Sequence, residues 1–467
     1  MSDGAILAII FSIMIIIMLM GTPIFTSIGI TAIIAMLIWM KPTFLARFGM
    51  TSYQQATNFN QLIAPMFIMM SEFLSQGHIA EDIYALLNRL VGKLKGGLAI
   101  STTLACTIFA ALCGSSPATA ASIGRLSISE MQKRGYDDAF AVGTVAAGGT
   151  LGIMIPPSIT FCFYAMITET SVVQLFMAGV LPGLMLAALI IIYILIRGFL
   201  NPAIVGVGVK TGADMDMDTA KDIMNAVKAE AGMNTAPKAE YGIEKEPGMG
   251  RLLVSVLPAL ALILIVLGSM YLGWATAIEA AGYGVIGSLL IVILTGRMNR
   301  KIFSSAMQNT ARMGTMMVFL IICGSVLTYV ISYLGIASAI SEALAASGMG
   351  KWTFLILVYI LWFILGCLMD PASMVMLTIP FLHQSLMDFG FHSIWVGCVS
   401  VLASQIAMIT PPVGMNLFVL KANCNVSMGN IMKGCIPYVI VLFIGLAIMT
   451  IFPDICLWLP SKVYNIG

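Results

Sequence analysis

Long apolar runs recur along the whole chain, from residues 5–20 near its start to residues 432–452 near its end. A helix of about 20 apolar residues is long enough to cross the hydrocarbon core of a bilayer. Of the 467 residues, 60% are hydrophobic and only 9% are charged, whereas an average soluble domain has about 25% charged residues. We therefore predict an all-α polytopic membrane protein that is embedded in the lipid bilayer.

Charge and cysteine content exclude several other classes of protein. The formal net charge is only +2 and the sequence has no basic cluster, so a nucleic-acid partner is not expected. The nine cysteines are scattered singly without CxxC spacing, which disfavours a metal site or a disulfide framework. We expect them to act as small apolar residues in helix packing.

Span length and turn signals predict ten membrane crossings. They lie near residues 5–20, 24–40, 57–76, 138–168, 172–199, 251–272, 275–295, 305–334, 392–422 and 431–453. Two further apolar segments, 97–131 and 350–388, are interrupted in the middle by small polar residues and proline. We predict that each forms a re-entrant helical hairpin, which enters and leaves the membrane on the same side.

The distribution of positive charge predicts the orientation. With the N-terminus outside, most Lys and Arg residues fall on the cytoplasmic side, and the exceptions are Lys41, Arg47, Lys351 and Lys462. The positive-inside rule requires this bias. The predicted order is N-terminal scaffold helices (1–56), a first repeat (57–200), a cytoplasmic linker (201–250), further scaffold helices (251–304), a second repeat (305–453) and a C-terminal tail (454–467).

The two halves of the chain align at a shift of 254 to 255 residues. At this shift Ser116-Pro117-Ala118-Thr119 falls on Asp370-Pro371-Ala372-Ser373, Gly135 on Gly390, Gly143 on Gly397, and Pro156-Pro157 on Pro411-Pro412. An odd number of predicted crossings separates the two units, so the second is inverted and the hairpin tips are expected to meet near the membrane centre. Inverted repeats with broken helices are typical of secondary transporters, whose sites lie between the repeats.

Helix breakers lie in apolar surroundings at the first hairpin tip (113–120) and in the segment 148–158. Proline removes a backbone donor and glycine allows unusual dihedrals, so carbonyl oxygens become free of helical hydrogen bonds. At membrane depth such oxygens must line an enclosed or water-filled cavity, where they suit a sodium ion. The predicted sodium ligands are Ser115, Ser116, Thr119, Gly148, Gly149 and Gly152, with a further hydroxyl from Thr150.

The second half repeats this chemistry. Its predicted sodium ligands are Gly366, Met369, Asp370 and Ser373 at the hairpin tip, together with Thr410 and Gly414 beside the second proline pair. An acidic residue inside an apolar stretch indicates a functional site. Asp370 is also suited to cap the helix that begins at Pro371, because proline is favoured at the first helical position. The two roles of Asp370 are compatible.

A helix N-terminus follows each break, and positive dipole ends that share one volume suit an anionic substrate. The predicted substrate-binding residues are Ser116, Thr119, Arg125, Thr150, Pro157, Ser158 and Asn416. Alternatively, a proline pair only kinks a crossing helix, and Arg125 extends to the cytoplasmic interface. Glu72 and Glu279 lie inside predicted crossings and are expected to form hydrogen bonds between helices.

At these residues the sequence resembles the large membrane subunit of tripartite ATP-independent periplasmic (TRAP) transporters. The resemblance covers essentially the whole chain and is carried by Gly114-Ser115-Ser116 with Ala118-Thr119-Ala120, by the run 148–158, and by Ile409-Thr410-Pro411-Pro412-Val413-Gly414-Met415-Asn416. It implies an elevator-type fold related to sodium-coupled divalent-anion transporters. It also implies a multi-pass location in a bacterial inner membrane, to which the predicted orientation adds periplasmic termini.

The same resemblance implies function and partners. The expected activity is uptake of an organic acid, such as sialic acid or a C4-dicarboxylate, driven by a sodium gradient. The expected partners are a small four-helix membrane subunit and a periplasmic binding protein that delivers the carboxylate substrate. The coupling ion Na+ is the only expected cofactor.

Two other functions stay open from the sequence. One is a stand-alone sodium-coupled dicarboxylate carrier that needs neither partner. The other is an intramembrane enzyme, which is disfavoured because the predicted spans contain no HExxH motif, paired aspartates or Ser-His arrangement.

Overall fold

The computed structural model describes residues 3–206, 249–336, 338–339, 342 and 348–464, so most of the predicted linker lies outside the described residues. Within them the first half contains α1 (Asp3–Leu19), α2 (Ile24–Trp39), α3 (Leu45–Thr57), α4 (Ile63–Gln76), α5 (Ile79–Val91), α6 (Gly97–Cys113), α7 (Ser116–Lys133), α8 (Asp138–Met154), α9 (Ile159–Thr168) and α10 (Val172–Leu200). The second half contains α11 (Met249–Tyr271), α12 (Ala277–Leu294), α13 (Arg300–Tyr333), α14 (Lys351–Leu368), α15 (Pro371–Asp388), α16 (Ser393–Met408), α17 (Met415–Asn423), α18 (Met428–Ile451) and α19 (Asp454–Tyr464). The predicted all-helical membrane architecture is confirmed.

Within the described ranges, seven helical segments are long and apolar enough to cross a membrane. They are Asp138–Thr168, Val172–Leu200, Leu252–Tyr271, Ala277–Leu294, Arg300–Tyr333, Lys351–Leu368 and Met428–Ile451. Four further apolar helices are shorter, namely α1, α2, α6 and α16. Because Lys351–Leu368 is an arm of a predicted hairpin, length and composition alone do not separate hairpin arms from full crossings.

Both predicted hairpins are present as helix pairs. The first consists of α6 and α7, which are separated by Gly114 and Ser115, and the second consists of α14 and α15, which are separated by Met369 and Asp370. In each pair the two arms pack against one another. Gly114 has a φ of +63°, a conformation that residues with a Cβ rarely adopt. The predicted interruption at each tip is therefore confirmed.

The boundaries of the helices repeat at the shift found in the sequence. Helices α6 and α14 begin 254 residues apart, and α8 and α16 begin 255 residues apart. Gly135 and Gly390 end equivalent helices with φ values of +73° and +76°. Both proline pairs, Pro156-Pro157 and Pro411-Pro412, contain a cis peptide bond. The duplication predicted from the aligned glycine and proline residues is therefore also present in the structure.

The helices pack in two groups. Helix α4 packs against α12 and α13, and α13 also packs against α2. Helices α6 to α10 and α14 to α18 pack mainly with one another, with α8 in contact with α6, α7 and α18. The sequence predicts that α4 and α13 belong to the repeats, but both pack mainly with one another and with helices of the predicted scaffold.

Helices α8 and α18 approach one another very closely. A Cβ atom added to Gly434 would overlap the carbonyl group of Ala139, and one added to Gly143 would overlap the carbonyl oxygen of Gly434. Beside this contact the hydroxyl groups of Thr144 and Tyr438 lie 2.6 Å apart. Small residues allow such backbone contacts between membrane helices, and here they fix α8, the helix that leads to the first proline pair.

A buried ion pair joins the corner between α4 and α5 to the end of α12. Arg297 donates to Asp82 at 3.0 Å and to the carbonyl oxygens of Gly77 and His78 at 2.8 Å and 3.1 Å. The side chain of Asp82 is 7% exposed and that of Arg297 is 18% exposed. A cation at these carbonyls also complements the negative end of the α4 dipole.

Three helices of the described part of the chain, α3, α5 and α19, were not predicted. Helices α3 and α5 are too polar to give the signal of a membrane span, and no residue of α3 is buried. Helix α19 occupies the predicted C-terminal tail and packs against α10. These three helices are short and mix polar with apolar residues, so a search for long apolar runs does not detect them.

Two acidic residues test the expectation of hydrogen bonds between helices. Glu72 accepts a hydrogen bond from Asn309 Nδ2 at 2.9 Å, which joins α4 to α13 as expected. The expectation for Glu279 is wrong. Its carboxylate accepts from the backbone N–H of Thr276 at 2.8 Å and forms a capping box at the start of α12, because it lies in the first helical turn rather than inside the span.

Candidate functional site

At the tip of the first hairpin the N-terminus of α7 lies in the protein interior. Helix α7 begins at Ser116, and Ser115 at its N-cap makes no side-chain capping bond. The backbone N–H and the hydroxyl of Thr119 both donate to the Ser115 carbonyl oxygen, at 3.0 Å and 2.8 Å. Ser116 and Thr119 are fully buried. The first turn of α7 is therefore a buried helix end without a side-chain cap.

The glycines of α8 pack against this tip. A Cβ atom added to Gly152 would lie 2.7 Å from the Ser115 carbonyl oxygen and 2.7 Å from Thr119 Oγ1. One added to Gly149 would lie 3.3 Å from the Ser116 carbonyl oxygen. A Cβ atom added to Gly148 would instead lie 2.9 Å from the sulfur of Cys106 on α6. Five of the six predicted ligands of the first site therefore lie together, and Gly148 points away from the tip.

The break in α8 lies further along the chain than the glycines suggested. Helix α8 is continuous to Met154, so Gly148 and Gly149 belong to an unbroken helix. An α-helical carbonyl accepts from the N–H four residues later, and Pro156 and Pro157 have no N–H. The carbonyls that lose their helical donors are therefore those of Gly152 and Ile153.

Thr150, Pro157 and Ser158 are the remaining predicted residues near the first proline pair. Thr150 donates to the Ala147 carbonyl oxygen at 2.6 Å and is buried within α8. Ser158 caps α9 and accepts from the Phe161 N–H at 3.4 Å. The carbonyl oxygen of Pro157 lies against Gly114, 2.5 Å from a Cβ atom built there. The proline segment thus packs directly on the first hairpin tip.

Asp370 caps the second hairpin helix. Its carboxylate accepts from the backbone N–H of Ser373 at 3.1 Å and from the Ser373 hydroxyl at 2.5 Å. The capping role predicted for Asp370 is confirmed. Met369 beside it is 5% exposed, and a Cβ atom added to Gly366 would lie 2.7 Å from Ala407 Cβ on α16. The second tip therefore packs on the helix that leads to the second proline pair.

The second proline segment turns sharply between α16 and α17. Thr410 donates to the Ile406 carbonyl oxygen at 2.7 Å. A Cβ atom added to Gly414 would lie 2.5 Å from the Met408 carbonyl oxygen and 3.1 Å from that of Thr410. Gly414 is the N-cap of α17 and makes no side-chain capping bond. The N-terminus of α17 is therefore also uncapped.

One hydrogen bond joins the two repeats at these helix ends. Asn416 Nδ2 donates to Ser116 Oγ at 2.7 Å, and both residues are 0% exposed. Helix α17 packs against α7, and reciprocally α9 packs against α15. The uncapped N-termini of α7 and α17 are thus brought together at the interface between the repeats.

The two proline pairs differ in exposure. Pro156, Pro157 and Ser158 are buried, whereas Pro412 and Val413 are exposed. Arg125 is exposed on α7, more than two helical turns beyond Ser116. Among the described residues the tips are therefore lined by hydroxyl, amide and carbonyl groups together with the carboxylate of Asp370, and Arg125 is not placed with them.

Gln405 is a residue that the sequence analysis missed. It lies on α16, is 0% exposed, and neither polar atom of its side chain has a hydrogen-bond partner among the described residues. The same holds for Asn416 Oδ1. The sequence feature that could have identified Gln405 is a carboxamide inside the apolar run 394–409, four residues before the motif that begins at Ile409.

This arrangement suits binding of a small anion together with a cation. Helix N-termini present N–H groups and positive dipole ends to an anion. Within the described part of the chain no group of three or more His, Cys, Asp or Glu residues could hold a metal, so a cation at the tips would be bound mainly by carbonyl and hydroxyl oxygens. Neutral oxygens of this kind suit an alkali ion that must also be released.

The duplicated fold with two interrupted hairpins defines a class, the polytopic helical proteins with the fold of a membrane transporter. The solved structure of the Alcanivorax borkumensis YdaH transporter has the same overall fold, with a TM-score of 0.58 over 90% of this chain and 89% of that chain. The two sequences are 13% identical, so the likeness extends to the fold alone.

The chain belongs to the family described as tripartite ATP-independent periplasmic transporter, DctM component, whose profile matches residues 11–455. It is 33% identical to the C4-dicarboxylate TRAP transporter large permease protein DctM of Vibrio cholerae, over 97% of both chains. It is 31% identical to the protein of the same name from Pseudomonas aeruginosa, over 93% of this chain and 94% of the relative. The chain is therefore a large permease subunit of a multi-pass membrane transporter and not an enzyme, which confirms the resemblance seen in the motifs.

Proposed function

We propose that this permease imports a C4-dicarboxylate together with sodium ions, and that the substrate binds where the N-termini of α7 and α17 meet. The observation that carries this proposal is the Asn416–Ser116 hydrogen bond of 2.7 Å, which holds two uncapped helix ends together in the protein interior. The names of the relatives at 31% and 33% identity support a C4-dicarboxylate.

The chemistry of the site favours a carboxylate. Two helix N-termini supply partial positive charge and backbone donors. Ser116 and Asn416 add neutral hydrogen-bonding groups at the same place. The helix dipoles neutralise only part of the negative charge of a dicarboxylate, and sodium ions bound beside the substrate would neutralise the rest.

Sodium is proposed to bind at both hairpin tips. At the first tip the ligands would be the Ser115 carbonyl and the Thr119 hydroxyl, whose oxygens lie 2.8 Å apart, together with the freed carbonyl of Gly152, a residue that packs against both. At the second tip they would be Asp370 and Ser373, whose oxygens already lie together in the helix cap. Each oxygen of Asp370 keeps a further lone pair after capping, so capping and ion binding are compatible.

The proposed partners are a small four-helix membrane subunit and a periplasmic binding protein that delivers the substrate. The family description, which names one component of a tripartite periplasmic transporter, supports both. The family description supports a location in a bacterial inner membrane, and the bias of positive charge supports an orientation with both termini in the periplasm.

The proposed mechanism is an elevator movement of one group of helices past the other. The moving group would be α6 to α10 with α14 to α18, which pack mainly with one another. The exposure of Pro412 and Val413, against the burial of Pro156 and Pro157, supports an arrangement in which only one face of the site is accessible. The fixed group would contain α2, α4, α12 and α13.

Substrate class and partner dependence are tested together by uptake into proteoliposomes that contain the permease, its small subunit and its binding protein. Radiolabelled succinate is expected to accumulate, with succinate, malate and fumarate as competitors and sialic acid without effect. Competition by sialic acid alone would contradict the C4-dicarboxylate assignment. Equal uptake by the permease without its partners would instead favour a stand-alone carrier.

A further inference from the structure

Gln405 is unusual among the buried polar residues of α16. Ser400 and Ser404 are also fully buried, but each donates to a carbonyl oxygen of its own helix, at 2.9 Å and 2.7 Å. The side chain of Gln405 has one acceptor and two donors, and neither of its polar atoms has a partner among the described residues.

An unsatisfied carboxamide at this depth is costly. A buried donor or acceptor without a partner loses the hydrogen bonds that it would make with water, and a leucine of similar size would avoid that loss. Buried polar groups of this kind inside membrane helices mark substrate and ion pathways. A bound species that both accepts and donates, or two species that do so separately, would satisfy Gln405.

The position of Gln405 connects it to the substrate site. It lies about one turn before the end of α16 at Met408, and α16 packs against both arms of the second hairpin and against α8. Asn416, which follows the second proline pair, has an Oδ1 that is likewise without a hydrogen-bond partner among the described residues. At a shift of 255 residues Gln405 occupies the place of Thr150 in the first repeat.

We propose that Gln405 binds both transported species, with Nε2 donating to the substrate carboxylate and Oε1 ligating a sodium ion. A carboxylate only accepts hydrogen bonds and a sodium ion binds only oxygen, so the two ends of one carboxamide match the two partners. This inference rests on the proposed sodium-coupled import of a dicarboxylate. A shared ligand makes each species bind more tightly in the presence of the other, which is a coupling free energy between the sites.

The test compares Gln405→Leu and Gln405→Glu in the complete transporter reconstituted in proteoliposomes, with radiolabelled succinate as the probe. Leucine removes both interactions, and we expect the KM for succinate and the half-saturating sodium concentration each to rise about 10-fold or more. Glutamate keeps an oxygen but loses the donor and repels the carboxylate. We therefore expect its sodium dependence to stay within about twofold while the KM for succinate rises about 100-fold.

Ser400→Ala is the matched control, because it removes a buried polar group of the same helix that is satisfied locally. A packing role for Gln405 predicts the opposite order, since leucine would then transport like the wild type with an increased Tm. Wild-type kinetics in Gln405→Leu would overturn the proposal. If wild-type uptake is itself independent of sodium, the proposed function fails and the sodium half fails with it, while the KM for succinate still decides whether Gln405 binds the carboxylate.

Discussion

The hydrogen bond between Ser116 and Asn416 gives the sharpest test of a site shared by the two repeats. Ser116→Ala removes the acceptor of a 2.7 Å bond and leaves Asn416 Nδ2 buried without a partner. Asn416→Ala removes the donor and also opens a small cavity. In both variants the uncapped ends of α7 and α17 lose the contact that holds them together.

The expected magnitude follows from burial. A net hydrogen bond contributes about 1 kcal/mol, and a buried group left without a partner adds about 1–3 kcal/mol. The sum is about 2–4 kcal/mol, and 1.4 kcal/mol corresponds to about a tenfold change in an equilibrium constant. We therefore expect each single variant to decrease kcat/KM for the dicarboxylate about 30-fold to 700-fold. The double variant should lose less than the two effects together, with a coupling free energy of about 1 kcal/mol or more.

The assay is a double-mutant cycle in proteoliposomes, with Ser127→Ala as control. Ser127 is buried on the same helix, but its hydroxyl donates to the Ile123 carbonyl oxygen of that helix at 2.8 Å, so wild-type kinetics are expected. Additive effects within about 0.3 kcal/mol would show that Ser116 and Asn416 act independently. The shared site between the repeats would then be refuted.

Substitutions at Asp370, Gly434 and Arg297 test the ion site and the packing that supports it. Asp370→Ala is expected to raise the half-saturating sodium concentration while the protein still inserts. Asp370→Asn keeps the helix cap but loses the negative charge. A normal sodium response in Asp370→Asn would therefore assign the residue to capping alone. Gly434→Ala places a methyl group on the backbone of α8 and should cost about 1–3 kcal/mol or more, seen as a lower Tm in detergent, while Gly268→Ala, with open space around it, should change little. Arg297→Ala leaves Asp82 buried without its cation and should cost about 3–5 kcal/mol; a Tm unchanged from that of the wild type would show that the pair does not support the α4–α5 corner.

The sequence was most informative where structure is decided locally. Glycine and proline interrupt helices through their own backbone chemistry, so the breaks at Gly114 and at Asp370 could be predicted without tertiary information. The same glycines and prolines indicated the shift of 254 to 255 residues between the repeats, and the helix boundaries show the same shift. By contrast, Gly148 was assigned to the first tip by proximity in sequence alone, and the rotation of α8 turns it toward α6.

Contacts between distant segments could not be predicted in this way. Asn416 and Ser116 are 300 residues apart, and only the packing of α17 on α7 brings them together. The missing cap of α7 could not be predicted, because Ser115 caps or does not cap according to its rotamer. The missing cap of α17 follows from Gly414, which has no side chain, once the start of the helix is known. For Glu279 a local signal was present, since Thr276 three residues before it forms the capping-box pattern, and a correct placement of the helix start would have found it.

The central claim is sodium-coupled import at a site between the repeats, and substrate uptake driven by an imposed ion gradient tests it most directly. Proteoliposomes with the complete transporter are loaded without sodium, and succinate uptake is measured under an inward sodium gradient or under an inward proton gradient alone. We expect accumulation above equilibrium with sodium, abolished by a sodium ionophore, and none with the proton gradient. Accumulation driven by protons in the absence of sodium would contradict the claim.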